Sequence, residues 1–216
     1  MNSKKKKRGP LIFFVLFIFT PTLLFILAKH SQEASFSWAN LGEFAGVLSL
    51  AAFAATLALA VRLPRFEKYF GSLNNQYRLH IFFGQLALSL ALLHPLLLLA
   101  RYASNVSGVL DFLWFPTYME GLLPGFLSLI LFVAVVFVSL YMRLPYHIWK
   151  ITHKFAGLAF LLAYIHMIEV EPAVYHNFHP LPLYMHLLSW AGLVAFTYQA
   201  ILRPLLRKYK LKVLFL

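Results

Sequence analysis

Four of the nine histidines lie at positions where an ionisable side chain is costly. His80 and His94 fall in one long apolar run, and His153 and His166 fall in another. Ionisable groups inside a bilayer are rare and mark function. Neutral imidazole nitrogen is a ligand for iron. Two imidazoles facing each other across a bundle can hold a flat iron macrocycle from both sides, filling both axial positions. An iron filled in this way passes electrons and does not bind oxygen directly. The chain has no cysteine, so thiolate metal sites, iron–sulfur clusters and disulfides are excluded. The other five histidines suit interfacial hydrogen bonding. His30, His176 and His179 fall in connecting segments, His186 at the end of the last apolar run, and His147 at the mouth of the fifth.

The elements that must position these side chains are membrane helices. The chain is 61% hydrophobic and 12% charged over 216 residues, more apolar surface than a soluble domain of this size can hide. Runs long enough to cross a bilayer, about 20 residues each, are read at 11–28, 41–61, 79–100, 122–142, 147–168 and 183–202. No soluble domain, repeat or low-complexity stretch lies between them. The first run follows Lys4 to Arg8 as a signal peptide would, but no small-residue cleavage pattern stands near Ala28. The expected fold is an all-α membrane protein with six transmembrane helices.

The third and fifth helices run parallel, because one helix separates them. If His80 and His153 lie at equal depth, His94 and His166 match to about one helical rise, ~1.5 Å. Two histidine pairs result, one near each membrane face, ~20 Å apart along the axis. The angular register is less simple. A spacing of 14 residues returns to within ~40° of the same face, whereas 13 residues land ~140° away. Helix five therefore needs a local widening such as a π-bulge, or its imidazoles reach round by rotamer and tilt. Thr152 occupies the 14-residue position and cannot ligate iron; Gly157 is a candidate site of irregularity.

Charge sets the orientation. The chain carries 19 Lys and Arg against 7 Asp and Glu. If both termini face the cytoplasm, every base except Lys29 and Arg101 falls on that side, and of the acids only Glu67 does. This is the positive-inside rule strongly obeyed. Residues 1–10 then form a basic cytoplasmic N-terminus, 11–204 the six-helix domain and 205–216 a cytoplasmic tail. The tail, ending "KYKLKVLFL", alternates basic and apolar residues like the start of a β-strand.

The pattern His-x13-His on the third helix and His-x12-His on the fifth resembles the ferric reductase-like transmembrane domain superfamily. That superfamily spans NADPH oxidases, ferric reductases and the haem subunit of the bacterial methionine sulfoxide reductase system. The resemblance covers about residues 11 to 212 and includes the unequal spacing. It implies two b-type haems, the inner held by His80 and His153 and the outer by His94 and His166. Oxidases and ferric reductases carry a cytosolic flavin and nicotinamide module after helix six; this chain has no G-x-G-x-x-G following a strand. "RPLLRKYKLKVLFL" looks like the join to such a module, so FAD and NAD(P)H would act only through a separate domain or protein.

Haem propionates need cations. Arg78 and Lys154 stand beside the inner ligands, and Arg101, seven residues beyond His94, is the candidate for an outer propionate or an anionic acceptor. Phe160, midway between His153 and His166, is a candidate to pack between the haems, but with 22 Phe in the chain ordinary lipid or core packing is the better reading. The leading expectation is a membrane oxidoreductase domain carrying electrons from a cytoplasmic flavin reductase to external oxygen, giving superoxide, or to ferric iron. The alternatives are a haem subunit feeding a periplasmic reductase partner, and a haem-free transporter or scaffold. The absence of cysteine makes topology testable. Ser72→Cys is expected to resist an impermeant thiol reagent added outside intact cells, and Ser107→Cys to react; labelling of Ser72→Cys from outside overturns the orientation.

Overall fold

A computed structural model describes residues 8–31, 37–62, 69–100, 109, 121–170 and 180–206. Six helices in it are long and apolar enough to cross a membrane: α1 (Gly9–Ser31), α2 (Trp38–Leu59), α3 (Leu73–Ala100), α4 (Leu122–Tyr141), α5 (Tyr146–Val170) and α6 (Pro180–Leu206). The protein is thus a multi-pass, all-helical membrane protein. At 1.5 Å per residue even the shortest, 20 residues, reaches the ~30 Å thickness of bilayer hydrocarbon.

One helix is the hub. In α2, 72% of the most apolar window is buried inside the protein, against 11–22% in the other five. Its buried face is built from small residues, including Ala45, Ala51, Ala52, Ala54 and Ala55. Small side chains let neighbouring backbones approach closely in lipid, where no hydrophobic effect drives helices together. Gly192 of α6 meets α2 so closely that a Cβ added there would lie 3.2 Å from the Ala54 Cα. The peripheral helices present Leu96, Leu140, Leu183 and Val194 outward, as side chains facing hydrocarbon should. Two serines join adjacent helices. Ser49 Oγ donates to the Ala87 carbonyl and Ser128 Oγ to the Ala159 carbonyl, each at 2.8 Å.

The helices run somewhat longer than their apolar cores suggest. α3 begins at Leu73, so His80 is not the second residue of its span but lies two turns inside it. The polar first turn is held in place by hydrogen bonds from its backbone and side chains. Asn75 N–H donates to Ser72 Oγ at 3.2 Å, and buried Gln76 donates its Nε2 hydrogens to the Leu59 and Val61 carbonyls, each at 2.7 Å. The alternating tail after Lys208 lies outside the described residues.

α5 answers the register problem, though by a tightening and not a widening. Its regular helix stops at His153 and resumes at Phe155. Across the break Lys154 N–H bonds the Ile151 carbonyl at 3.1 Å and Gly157 N–H bonds the Lys154 carbonyl at 3.0 Å, both three residues back. The Thr152 hydroxyl helps by donating to the Trp149 carbonyl at 2.9 Å, a local bond that competes with regular helix. Thirteen residues fall ~140° short of four α-helical turns, and each residue wound as 3₁₀ turns ~20° further. Tightening about four residues recovers roughly 80° of the deficit, whereas a π-bulge would enlarge it. The same turn rises ~2.0 Å per residue, which brings 13 residues to the height of 14. π-turns do occur in the bundle, but at Val15–Phe19 of α1 and Tyr198–Leu202 of α6. Gly157 closes the tight turn and also receives α6, since a Cβ there would stand 2.2 Å from the Phe196 ring.

Packing at that point is testable. Gly157→Leu is expected to lower the thermal stability of the detergent-solubilised protein by the ~1–3 kcal/mol typical of overpacking. Phe196→Ala in the same chain should recover at least half of that loss in a melting experiment, and additive losses would show the two sites to be uncoupled.

Candidate functional site

The structure brings the four intramembrane histidines together as two pairs. His80 of α3 faces His153 of α5 with ring centroids 6.2 Å apart and planes inclined at 56°. His94 faces His166 at the same 6.2 Å, inclined at 70°. Metal–imidazole nitrogen bonds run about 2.0–2.1 Å, and a ring nitrogen stands about 1.1 Å from the centre of its own ring. Two imidazoles bound on opposite sides of one metal therefore have centroids about 6.3 Å apart, which is close to the spacing of both pairs.

The Nδ1 atoms are already engaged. His80 Nδ1 bonds the Thr56 carbonyl at 2.9 Å, His94 Nδ1 the Gly42 carbonyl at 2.7 Å, and His166 Nδ1 the Gly121 carbonyl at 2.6 Å. A carbonyl only accepts, so each of these nitrogens carries the proton and Nε2 keeps its lone pair for a metal. His153 Nδ1 instead meets the Ser139 hydroxyl at 3.0 Å, which can donate or accept. Among the described residues no group of three or more His, Cys, Asp or Glu side chains converges as a metal site. Each pair thus offers two opposed nitrogens and no third protein donor. That donor set suits an iron whose equatorial ligands come from a macrocycle, as in haem.

The His94–His166 pair opens into a cavity of about 370 Å³. Its walls come from two matched hairpins. α2 carries Gly42-x3-Gly46-x2-Ser49 and α4 carries Gly121-x3-Gly125-x2-Ser128. α3 carries Ala87-x6-His94 and α5 carries Ala159-x6-His166. In each hairpin the first glycine's carbonyl takes the imidazole hydrogen, and the serine bonds the alanine carbonyl on the histidine helix. The second glycine lies against the imidazole. A Cβ at Gly46 would stand 2.9 Å from His94 Nδ1, and one at Gly125 2.7 Å from His166 Nδ1. Equivalent phenylalanines of the hairpins, Phe53 and Phe132, stack on each other at 4.1 Å and 13°. Phe160 is fully buried beside them, edge-on to Phe53 at 5.2 Å, at the height expected between the two histidine planes. The glycine–serine spacing was present in the sequence as a repeat inside two spans. It is hard to see there because small residues are common in membrane helices for packing alone.

The remaining candidates are placed as follows. Arg78 is exposed on α3. Lys154 donates its ammonium to the Ala200 carbonyl at 3.1 Å. Arg101, His176 and His179 lie outside the described residues. His30 and His147 are exposed, and His186 Nδ1 bonds the Tyr164 hydroxyl at 2.9 Å. A cation near the outer cavity that sequence reading passed over is Lys29, which pairs with Glu43 on the cavity wall at 2.7 Å.

The family model described as "Ferric reductase like transmembrane component" matches residues 45–164, more than half of the chain. The match is narrower than the 11–212 expected from the histidine pattern. It takes in His80, His94 and His153 and ends two residues before His166. No curated protein matches the chain.

The glycines predict a selective defect. Gly46→Val and Gly125→Val are expected to displace His94 and His166 and to abolish ligand binding at that pair while sparing His80 and His153. Gly84→Ala is the control, because its nearest neighbour would be Thr56 Cγ2 at a relaxed 3.7 Å. Visible spectra of the purified variants check this; equal loss at both pairs would contradict the selective role.

Proposed function

Because the chain belongs to the family of ferric reductase-like transmembrane components, whose work is electron transfer across a membrane, we propose that it does so through two bis-histidine b-type haems. His80 and His153 hold the haem nearer the cytoplasm, and His94 and His166 hold the outer one. The observation that carries this reading is the pair of opposed imidazoles at 6.2 Å, repeated at two levels. The haems supply one-electron ferric–ferrous chemistry when bound. The protein's own contribution is to fix tautomer and ring direction through the Nδ1 partners, which also raises ligand basicity. It also keeps water from the outer site with Leu50, Phe53, Phe132 and Met185.

Orientation follows from charge. Arg62, Arg78, Arg143, Lys150, Lys154 and Arg203 gather at one end of the bundle, which is taken as cytoplasmic. Electrons enter there from a flavin reductase domain or protein that draws on NAD(P)H, and leave at the far side to oxygen or ferric iron. Arg78 supports the inner site's anionic groups. Arg101 is assigned to the outer acceptor or propionate from its place in the sequence. Lys154, occupied with Ala200, serves a propionate only by releasing that bond.

A pyridine haemochrome assay is expected to return two haems per chain, both low-spin; one or none would refute the pairing. His94→Leu and His166→Leu should each remove the same outer haem, by spectrum, while leaving an inner haem that a cytoplasmic-side donor still reduces. In liposomes these variants should fail to reduce an impermeant ferric chelate on the far side. Normal conduction by His94→Leu would refute the serial path, and loss of the outer haem in His80→Leu alone would show that the two levels had been assigned the wrong way round.

A further inference from the structure

The inner histidine pair does not end at its own rings. Trp149 lies stacked on His153, with centroids 5.0 Å apart and planes within 14°. Tyr146 stacks in turn on Trp149 at 6.0 Å and 25°. These contacts arise from the short helical piece Tyr146–His153, where residues three and four apart share a face. His153 faces His80 across the candidate iron position, so the rings form a contiguous chain of contacts from the bundle's end to the ligand His153. The outermost member is open: Tyr146 is 68% exposed. Arg143, His147 and Lys150 are exposed around it. Among the described residues no matching ladder leads from the other pair, whose rings meet carbonyls and glycines.

Structure alone gives Tyr146 and Trp149 little reason to stack outward. An aromatic pair at a membrane surface usually anchors a helix by pointing into the headgroups, yet here Trp149 lies flat against the half-buried imidazole of His153. We infer that the Tyr146–Trp149 stack is the electron-entry platform, a docking surface for the planar isoalloxazine of a reduced flavin. The inference rests on the proposed electron-transfer function and names where its donor binds. Ring faces recognise a planar π-system by offset stacking, and the surrounding bases complement the flavin phosphate. Over one oxidation, a neutral flavin hydroquinone loses two electrons and two protons. The protons pass to water at the bundle's end. The electrons would pass singly through the stacked rings, neither of which is itself oxidised, to the haem that His80 and His153 would hold, the first moving on to the second haem before the next arrives. Coupling between donor and acceptor decays steeply with distance through saturated matter, so contiguous ring contacts favour this route.

The test uses the full chain in detergent, with free FMN as the probe. Two readouts are taken: binding of oxidised FMN by equilibrium dialysis, and anaerobic stopped-flow reduction of the haems by photoreduced FMN or by dithionite. Trp149→Leu and Tyr146→Leu are each expected to weaken FMN binding and slow FMN-driven reduction by tenfold or more. Dithionite reduction and the haem spectrum should not change, and Trp149→Phe should restore at least half of the FMN rate. Should Trp149→Leu disturb the haem spectrum, Tyr146→Leu, one ring further out, decides. Wild-type FMN binding and rate in Tyr146→Leu overturn the platform. Absence of haem from the wild-type protein would instead overturn the function on which it rests, and the dialysis result would still judge the platform.

Discussion

A buried imidazole must have a partner for each nitrogen, and in hydrocarbon water cannot supply one. Most of the bundle's detail follows from that requirement. Three of the four histidines meet it by giving Nδ1–H to a backbone carbonyl of a neighbouring helix. Carbonyls inside a regular helix already accept one bond, so the histidine helix must come close enough to use a second lone pair or a helix end. Close approach in turn demands residues without bulk. Gly42 and Gly46 meet it on α2, and Gly121, with φ of +84° at the start of α4, meets it together with Gly125. The positive φ at Gly121 is a conformation that favours glycine; it turns the carbonyl ahead of α4 toward His166.

The two levels solve the same problem differently. At the His94–His166 level both acceptors are glycine carbonyls within 0.1 Å of equal length, and the supporting serines and alanines are matched. At the His80–His153 level one acceptor is the Thr56 carbonyl and the other partner is the Ser139 hydroxyl. The break in α5 is the cause of the difference. It advances His153 by one residue relative to the position that would repeat His80, so the inner half cannot copy the outer one. Hydrogen bonding to the distal nitrogen is one of the levers that set the properties of a bound metal, and here it is applied evenly at one level and unevenly at the other.

Much of this was legible in the chain. Six apolar runs and an uneven charge distribution are strong signals because lipid tolerates so few alternatives. The depth match of His80 with His153 and of His94 with His166 followed from a constant helical rise. What lay beyond the sequence were local exceptions to regularity. The start of α3 depends on Gln76 finding two carbonyls across the bundle, a tertiary contact with no local mark. Irregularity in α5 was expected from the 13-residue spacing, but its sign was not. Widening and tightening leave the same residues in order, and only the bonds of Lys154 and Gly157 distinguish them. The paired glycines were visible as letters, yet their meaning required knowing that each lies against an imidazole.

The likeness of the two hairpins has a consequence for anything flat that enters between them. Matched position for position, the hairpins pair Gly46 with Gly125, His94 with His166 and the stacked Phe53 with Phe132, so a planar guest meets nearly the same walls whichever edge goes in first. Two seatings of such a guest are almost degenerate. The preference between them is left to positions where the walls differ. Across the matched pairs the sharpest difference is Glu43, held by Lys29, opposite Leu122. A single tethered carboxylate thus acts as the key that makes an otherwise reversible lock one-handed.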